Sequence, residues 1–236
     1  MLQLIAFDAD DTLWHNETLY LEVEEHFIAL LASYAGPEQA RQTLHQVETR
    51  NLAHYGYGIK GFTISLIEAA VALSGGRIQG SSIQSLIDVT REMLVAHVQV
   101  IDGAEEVLTL LSGRYELMLI TKGDLFEQEA KVARSGLRDR FQRVEVVSDK
   151  TPEAYAMLLT RYDVMPSAFV MVGNSLRSDI LPVLDLGGQA VYIPYPATWS
   201  HEHAEVPQAG TIRFHQLEHI GLLPGLLDRL DERGPS

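Results

Sequence analysis

The 236-residue chain contains no cysteine, which excludes disulfides, thiolate metal sites and a cysteine nucleophile. Positive charge is scarce as well, because 18 lysines and arginines stand against 32 aspartates and glutamates, giving a formal net charge of −14. Nucleic-acid and acidic-membrane surfaces need clustered Lys and Arg, so this balance argues against both partners. A binding site for an anion must therefore be built locally.

Long apolar runs are also missing. The first residues, MLQLIAFDAD, lack a basic segment, and their apolar run is too short for a signal peptide or a membrane span. Together with the absence of cysteine, this predicts a soluble cytoplasmic protein that binds no membrane. Apolar residues nevertheless make up 46% of the chain, which is enough for a packed core.

The order of apolar patterns predicts an α/β protein with an insertion. Residues 2–7 (LQLIAF) form an apolar run of the kind that is buried on both faces of a parallel sheet. Strand patterns then alternate with helix patterns after Gly103, which predicts a doubly wound, Rossmann-like parallel sheet. The other predicted strands are residues 115–121, 144–148, 168–174 and 189–194.

Between the first strand and this alternating region lie four helix patterns with short connections. They cover residues 16–36, 37–56, 62–76 and 81–98, and they predict a small helical bundle. We therefore expect a catalytic core of residues 1–15 and 98–236 and an inserted all-helical domain of residues 16–97. The segment from about Tyr195 to Gln208 has no regular pattern.

Polar residues follow four of the predicted strands. They are Asp8 and Asp10 after the first, Thr121, Lys122 and Gly123 after the second, Lys150 after the third, and Asn174 and Asp179 after the fourth. Ligands of open parallel sheets bind outside the carboxyl ends of the strands, so these residues should share one edge. Taken alone, the aspartates could equally cap a helix, and it is the ordered set of four that is specific.

This set resembles the haloacid dehalogenase superfamily of hydrolases: DxDxT, a threonine after an apolar strand, a lone lysine and an acidic fourth motif. The resemblance extends from residue 2 to about residue 195. It implies that Asp8 is a nucleophile that forms an aspartyl-phosphate, and that Asp10 is the general acid and base. Asp11 is expected to be a turn residue, and Thr12 to stabilise the loop through hydrogen bonds to nearby backbone.

The resemblance also implies a magnesium ion, because two carboxylates and a phosphate dianion repel one another. Its ligands would be the carboxylates of Asp8 and Asp179 and the backbone carbonyl of Asp10. The commonest phosphatase form of the family has Asp where this chain has Asn174. An amide in this position could hold a metal-bound water, but it supplies no charge.

Residues that follow the second and third strands would bind the phosphate. Thr121 and the backbone amides of Lys122 and Gly123 would hold the phosphoryl oxygens, and Lys150 would neutralise charge shared by nucleophile and phosphate. For the Lys122 side chain, a solvated position is favoured over a contact to the substrate. The chain has only four lysines, at positions 60, 122, 131 and 150, so a lysine directly after a strand is informative.

For the inserted helices, the resemblance implies a cap that closes over the strand ends. The segment HYGYGIKGF, residues 54–62, is predicted to be a loop between two helices. Tyr57 and Lys60 are its candidates for contacts to the leaving group, although packing of the tyrosine and solvation of the lysine are equally compatible with the sequence.

The function predicted in this way is a Mg²⁺-dependent hydrolase of small phosphomonoesters, with a small phosphorylated metabolite as partner. A 2-haloacid dehalogenase, a phosphomutase and a catalytically idle binding module are the alternatives on the same scaffold. Oligomeric state and substrate identity stay open.

Overall fold

The computed structural model describes residues 2–197, 199, 202, 204–208 and 211–233. The described residues form two compact units, one from the residues up to Glu17 together with those from Val98 onward, and the other from Thr18–His97. The first unit contains the sheet and the second contains most of the helical insertion.

The first unit is built on a six-stranded sheet in the order β3-β2-β1-β4-β5-β6. Every strand pairing is parallel, which confirms the predicted fold class. The strands are β1 (Leu4–Phe7), β2 (Glu116–Lys122), β3 (Arg143–Val147), β4 (Phe169–Gly173), β5 (Gln189–Tyr192) and β6 (Phe214–Gln216). Strand order reverses between β1 and β4, and the crevice at such a switch point is where open α/β sheets bind ligands.

Helices cover both faces of this sheet. They are α5 (Ala104–Ser112), α6 (Leu125–Arg134), α7 (Pro152–Arg161), α8 (Leu181–Asp185) and α9 (Leu223–Arg233). Alternate residues of β1 enter two separate cores: Ile5 and Phe7 pack in one, Leu4 and Ala6 in the other. The apolar run at residues 2–7 is thus explained, because β1 has no solvent-facing side.

The C-terminal part of the sheet was not predicted. Strand β6 has only three residues, and two of them, Phe214 and His215, are only partly buried. A strand this short carries too few residues for a period of two to be recognised. Helix α9 was missed as well, although Leu223, Leu226 and Leu227 are buried in the core.

The second unit consists of helices α1 (Glu17–Leu30), α2 (Pro37–Tyr55), α3 (Ile59–Ser74) and α4 (Gly80–Val95). They share one hydrophobic core that contains Phe27, Leu44, Leu66 and Leu86. All four predicted helices are present. Among the described residues of the chain, every helix is too short or too polar to traverse a lipid bilayer.

The predicted loop at residues 54–62 was wrong in extent. Helix α2 continues to Tyr55 and α3 already begins at Ile59, so the connection is Gly56–Gly58. Gly58 adopts a φ of 122°, which turns the chain directly into the helix. A Cβ atom on Gly61 would lie 3.0 Å from the carbonyl oxygen of Gly56, so glycine at position 61 allows the tight approach.

Candidate active site

Asp8 is the first residue after β1. Its backbone N–H donates to the carbonyl of Val172 at 2.9 Å, which fixes the residue against β4. The carboxylate is buried, and its two oxygens have different partners: Oδ1 accepts from the Lys150 ammonium and Oδ2 from the Thr12 hydroxyl at 3.0 Å. Burial raises the pKa of Asp8 to about 7, an effect that Lys150 opposes and the neighbouring Asp179 reinforces.

Three side chains hold the carboxylate of Asp10. The indole of Trp14 donates to Oδ1 at 2.7 Å, Lys131 Nζ lies 2.5 Å from the same oxygen, and Gln128 Nε2 donates to Oδ2 at 3.0 Å. Burial by itself would raise the pKa of Asp10, but Lys131, Gln128 and Trp14 outweigh it and the pKa is lowered. Asp10 is therefore an anion in this arrangement.

Asp11 and Thr12 complete the turn after β1. Asp11 has a φ of 62°, and its carboxylate accepts from the backbone N–H groups of Asn16 and Glu17 at 2.9 and 3.1 Å. This is a helix-capping role at the start of α1, in line with the turn function expected for Asp11. The expectation for Thr12 was wrong in its partner, because the hydroxyl bonds the side chain of Asp8 and not the backbone.

Lys150 links two motifs that are far apart in sequence. It is buried, and its ammonium contacts Asp8 and, at 2.7 Å, Asp179 Oδ1. Burial would lower the pKa of Lys150, but the two carboxylates outweigh it and raise the pKa above its usual value. The lysine therefore stays charged and pairs with both carboxylates, while its contact with a phosphate stays a prediction.

Asp179 lies in a π-helical turn, Leu176–Ile180, and is fully buried. Its second oxygen, Oδ2, accepts from the N–H of Ser175 at 3.0 Å, so both carboxylate oxygens have protein partners. Gly173 leaves the space for this carboxylate, because a Cβ there would lie 2.2 Å from Asp179 Oδ2. π-helical turns occur frequently at functional sites.

Asn174 brings together the oxygens that were predicted to hold a metal. Its terminal amide lies 3.2 Å from Asp8 Oδ2, 3.2 Å from Thr12 Oγ1 and 3.3 Å from the backbone carbonyl of Asp10. With the amide nitrogen facing them, Asn174 donates hydrogen bonds to these atoms. With the amide oxygen facing them, three oxygens of Asp8, Asp10 and Asn174 meet, and this is the hard donor set that Mg²⁺ prefers.

The chemistry of these oxygens suits a magnesium ion, and they belong to three of the four residues predicted at the metal site, Asp8, Asp10 and Asn174. Within the described part of the chain, no group of three or more His, Cys, Asp or Glu side chains could hold a metal ion. The fitting oxygens instead come from one carboxylate, one amide and one backbone carbonyl. Asp179, the second predicted carboxylate ligand, has both of its oxygens engaged by Lys150 and Ser175.

The residues predicted to bind phosphate after β2 are either buried or already bonded to other protein groups. Thr121 is buried at the end of β2. The N–H of Gly123 donates to the carbonyl of Val147 at 3.2 Å, so the sheet already engages this amide. The ammonium of Lys122 donates to Ser178 Oγ at 2.8 Å and pairs with Glu202, so the solvated position favoured for this side chain was wrong.

The two residues predicted for the leaving group lie in the second unit. Tyr57 is in the short connection before α3 and is partly buried. Lys60 is exposed in the first turn of α3 and not in a loop, which corrects the position expected from the sequence.

Sequence reasoning missed three polar residues of the site. Gln128 and Lys131 are three positions apart on α6, where a helix presents both on one face, and both contact Asp10. Lysine scarcity was a signal for Lys131, since three of the four lysines of the chain pair with carboxylates at this edge of the sheet. Glu202 comes from the segment without a regular pattern, and no signal pointed to it.

The arrangement defines a site at the strand ends of a parallel α/β sheet, in which the buried carboxylate of Asp8 has a lysine on one oxygen. Comparison with known proteins agrees. The family model for haloacid dehalogenase-like hydrolases matches residues 2–187, so the chain belongs to this family.

Individual relatives show how far the similarity reaches. A haloacid dehalogenase-like family hydrolase from Xanthomonas campestris has 41% identity and a TM-score of 0.87, over 98% of this chain and 93% of that one. A 2-haloacid dehalogenase from Pseudomonas syringae shares the fold at 23% identity and a TM-score of 0.62, over 97% of this chain and 99% of that one.

A glyceraldehyde 3-phosphate phosphatase from Pyrococcus furiosus is 30% identical over 105 residues, 42% of this chain and 44% of the phosphatase. The match thus spans less than half the length of that relative.

Proposed function

We propose that the protein is a Mg²⁺-dependent hydrolase of small phosphomonoesters. The observation that carries this proposal is the second carboxylate: Asp10 follows Asp8 at an interval of two residues, and three donors hold its side chain. A halide leaving group needs no proton, whereas an alkoxide does, so a dehalogenase has no use for a second acid. The similarity to a curated phosphatase agrees with this choice.

In the first step, an oxygen of Asp8 attacks phosphorus and the bond to the leaving oxygen breaks, while Asp10 supplies a proton to that oxygen. Asp10 then takes a proton from water, the water oxygen attacks phosphorus, and the bond to Asp8 breaks. A bound magnesium ion would supply positive charge to the phosphoryl oxygens and to Asp8. Asp8, the carbonyl of Asp10 and Asn174 would hold it, and the contribution of Asp179 as a ligand stays a prediction.

The protonation states in this arrangement suit the second step. Asp10 is ionised, which is the form of a general base, because Lys131 lowers its pKa after burial has raised it. For the first step Asp10 must gain a proton, and a phosphate dianion placed beside it raises the pKa in that direction. Lys150 keeps Asp8 closer to the ionised form that a nucleophile needs.

The experiment is phosphate release from a panel of small phosphomonoesters, with and without Mg²⁺, beside halide release from 2-haloacids. We expect phosphate release that requires the metal, and no halide release. Halide release without metal would instead assign the protein to the dehalogenases. A phosphoryl group that moves to a second position of the substrate, with none released, would indicate a mutase.

The helical unit, residues 18–97, is proposed to select the substrate, with Tyr57 and Lys60 as contacts to the leaving group. Lys60→Ala is expected to raise KM about three- to tenfold on a substrate that the wild type hydrolyses, because one charge contact to a bound anion is lost. Its kcat should change less. An unchanged KM on every such substrate would contradict the contact.

A further inference from the structure

Glu202 forms a buried ion-paired cluster next to the site. Its carboxylate accepts from Ser175 Oγ at 2.5 Å and from Ser178 Oγ at 2.6 Å, and it pairs with the ammonium of Lys122. Lys122 in turn donates to Ser178 at 2.8 Å. Three donors therefore surround one carboxylate, which is the arrangement of a strong charge-assisted site.

The cluster joins the two strands that flank β1. Lys122 ends β2, while Ser175 and Ser178 follow β4, and β1 lies between these strands in the sheet. Glu202 thus connects residues on both sides of the strand that carries Asp8.

The cluster is connected to two residues with proposed roles, Asp10 and Asp179. Gln128 Nε2 donates to the backbone carbonyl of Lys122 at 3.3 Å and to Asp10 Oδ2 at 3.0 Å. Ser178 directly precedes Asp179 in the buried turn. A substitution that moves Lys122 or Ser178 is therefore expected to shift the carboxylates of Asp10 or Asp179.

From this geometry we infer that Glu202 is a positioning residue that holds the Lys122 ammonium on the Ser175–Ser178 turn and cancels its charge, so that the site binds phosphate more weakly than its lysines would allow. This inference rests on the proposed phosphatase function, since it concerns the phosphate site. Burial would raise the pKa of Glu202, but Lys122 and the two serines lower the pKa to about 2. The carboxylate is thus ionised throughout the neutral range.

In a phosphatase, this pairing of Lys122 with Glu202 would speed the release of the product. Inorganic phosphate leaves faster from a site whose net positive charge is smaller, because the attraction between lysine and phosphate grows with uncompensated charge. Lys131 and Lys150 are likewise paired with carboxylates, with Asp10 and with Asp8 and Asp179. Lys122 differs in that its carboxylate partner, Glu202, lies outside the four motifs.

The test is binding of inorganic phosphate, measured by calorimetry at one fixed Mg²⁺ concentration. Glu202→Gln keeps the shape and a hydrogen-bond acceptor but removes the negative charge. We expect phosphate to bind about three- to tenfold more tightly, because the negative charge of Glu202 no longer repels the anion or offsets the charge of Lys122. With phosphate release then slower, kcat and KM should both fall, because a slow release step lowers the two constants together.

Two controls separate this role from a purely structural one. Glu205→Gln removes the same charge from an exposed residue three positions along the segment and should leave phosphate affinity unchanged. In the double variant Lys122→Met/Glu202→Gln both charges are gone, so its affinity should return to within about twofold of the wild type. If Glu202 had only a structural role, Glu202→Gln and the double variant would both have a lower melting temperature and bind phosphate more weakly.

Lys122→Met provides a second route if Glu202→Gln folds poorly. It removes the positive charge and leaves the Glu202 carboxylate without its ion pair. Phosphate should then bind more weakly than it binds to the wild type. Unchanged or weaker phosphate binding in Glu202→Gln, or unchanged binding in Lys122→Met, would overturn the inference, whereas absence of turnover on the phosphomonoester panel would overturn the proposed function.

Discussion

Asp8→Asn is expected to abolish phosphate release, with turnover falling about 10³- to 10⁶-fold, because the amide is not a nucleophile toward phosphorus. The measurement is steady-state phosphate release on the best substrate of the panel, together with a search for phosphorylated protein by intact mass. The wild type should show a transient mass increase of one phosphoryl group, and the variant none.

The fold should survive this substitution. Folding raises the pKa of Asp8 from 3.8 to about 7, so the buried group disfavours the folded state increasingly as the pH rises through that range. Asparagine has no such penalty. The melting temperature of the variant relative to the wild type should therefore increase between pH 4 and pH 8, as a scan by circular dichroism would show.

Asp11→Asn is the matched control for Asp8→Asn. It makes the same chemical change three residues away, at a side chain whose oxygens bond the backbone N–H groups of Asn16 and Glu17. Turnover should stay within about tenfold of the wild type, because the residue caps a helix and takes no part in the chemistry. Near-normal turnover in Asp8→Asn would mean that the proposed mechanism is wrong.

Gly173→Ala should have the largest effect on stability. The added methyl group would lie 2.2 Å from Asp179 Oδ2 and 2.3 Å from its Cγ, so the buried carboxylate or the end of β4 must move. We expect a loss of about 2–4 kcal/mol in the free energy of unfolding, from overpacking together with a disturbed ion pair to Lys150. Denaturant unfolding measures it.

Gly113→Ala is the corresponding control, since a Cβ at that position has no atom within 4 Å and its φ of −83° suits any residue. It should change the free energy of unfolding by no more than about 0.5 kcal/mol. If Gly173→Ala were equally mild, Asp179 could shift without cost, and its position would not be fixed by the packing described above.

The sequence allowed prediction of those parts of the site that depend on strand ends. β1, β2 and β4 are recognisable as apolar runs and β3 as a valine-rich run, and a polar residue after each must lie at one edge because the sheet is parallel. This reasoning placed Asp8 beside Lys150 and Lys150 beside Asp179. It needed no knowledge of side-chain conformation.

What could not be predicted are contacts that depend on the direction of side chains. Asn174 was expected to contribute to metal binding, but not to touch Asp8, Thr12 and the Asp10 carbonyl together. Lys131 lies in a helix whose pattern does not say which polar residue points to the sheet edge. Glu202 comes from an irregular segment, where no periodicity relates a residue to a direction.

The position of β1 in the middle of the sheet determines when the site is completed. Thr12 and Asn174 are 162 residues apart, and Lys150 and Asp8 are 142 apart. On a ribosome, Asp8 and Asp10 therefore emerge long before Lys131 and Lys150, the lysines that pair with them. A nascent chain of this protein carries the acidic cluster without these ion pairs until translation has passed β3, and because such distant pairings form late in folding, the site is complete only once the sheet is nearly whole.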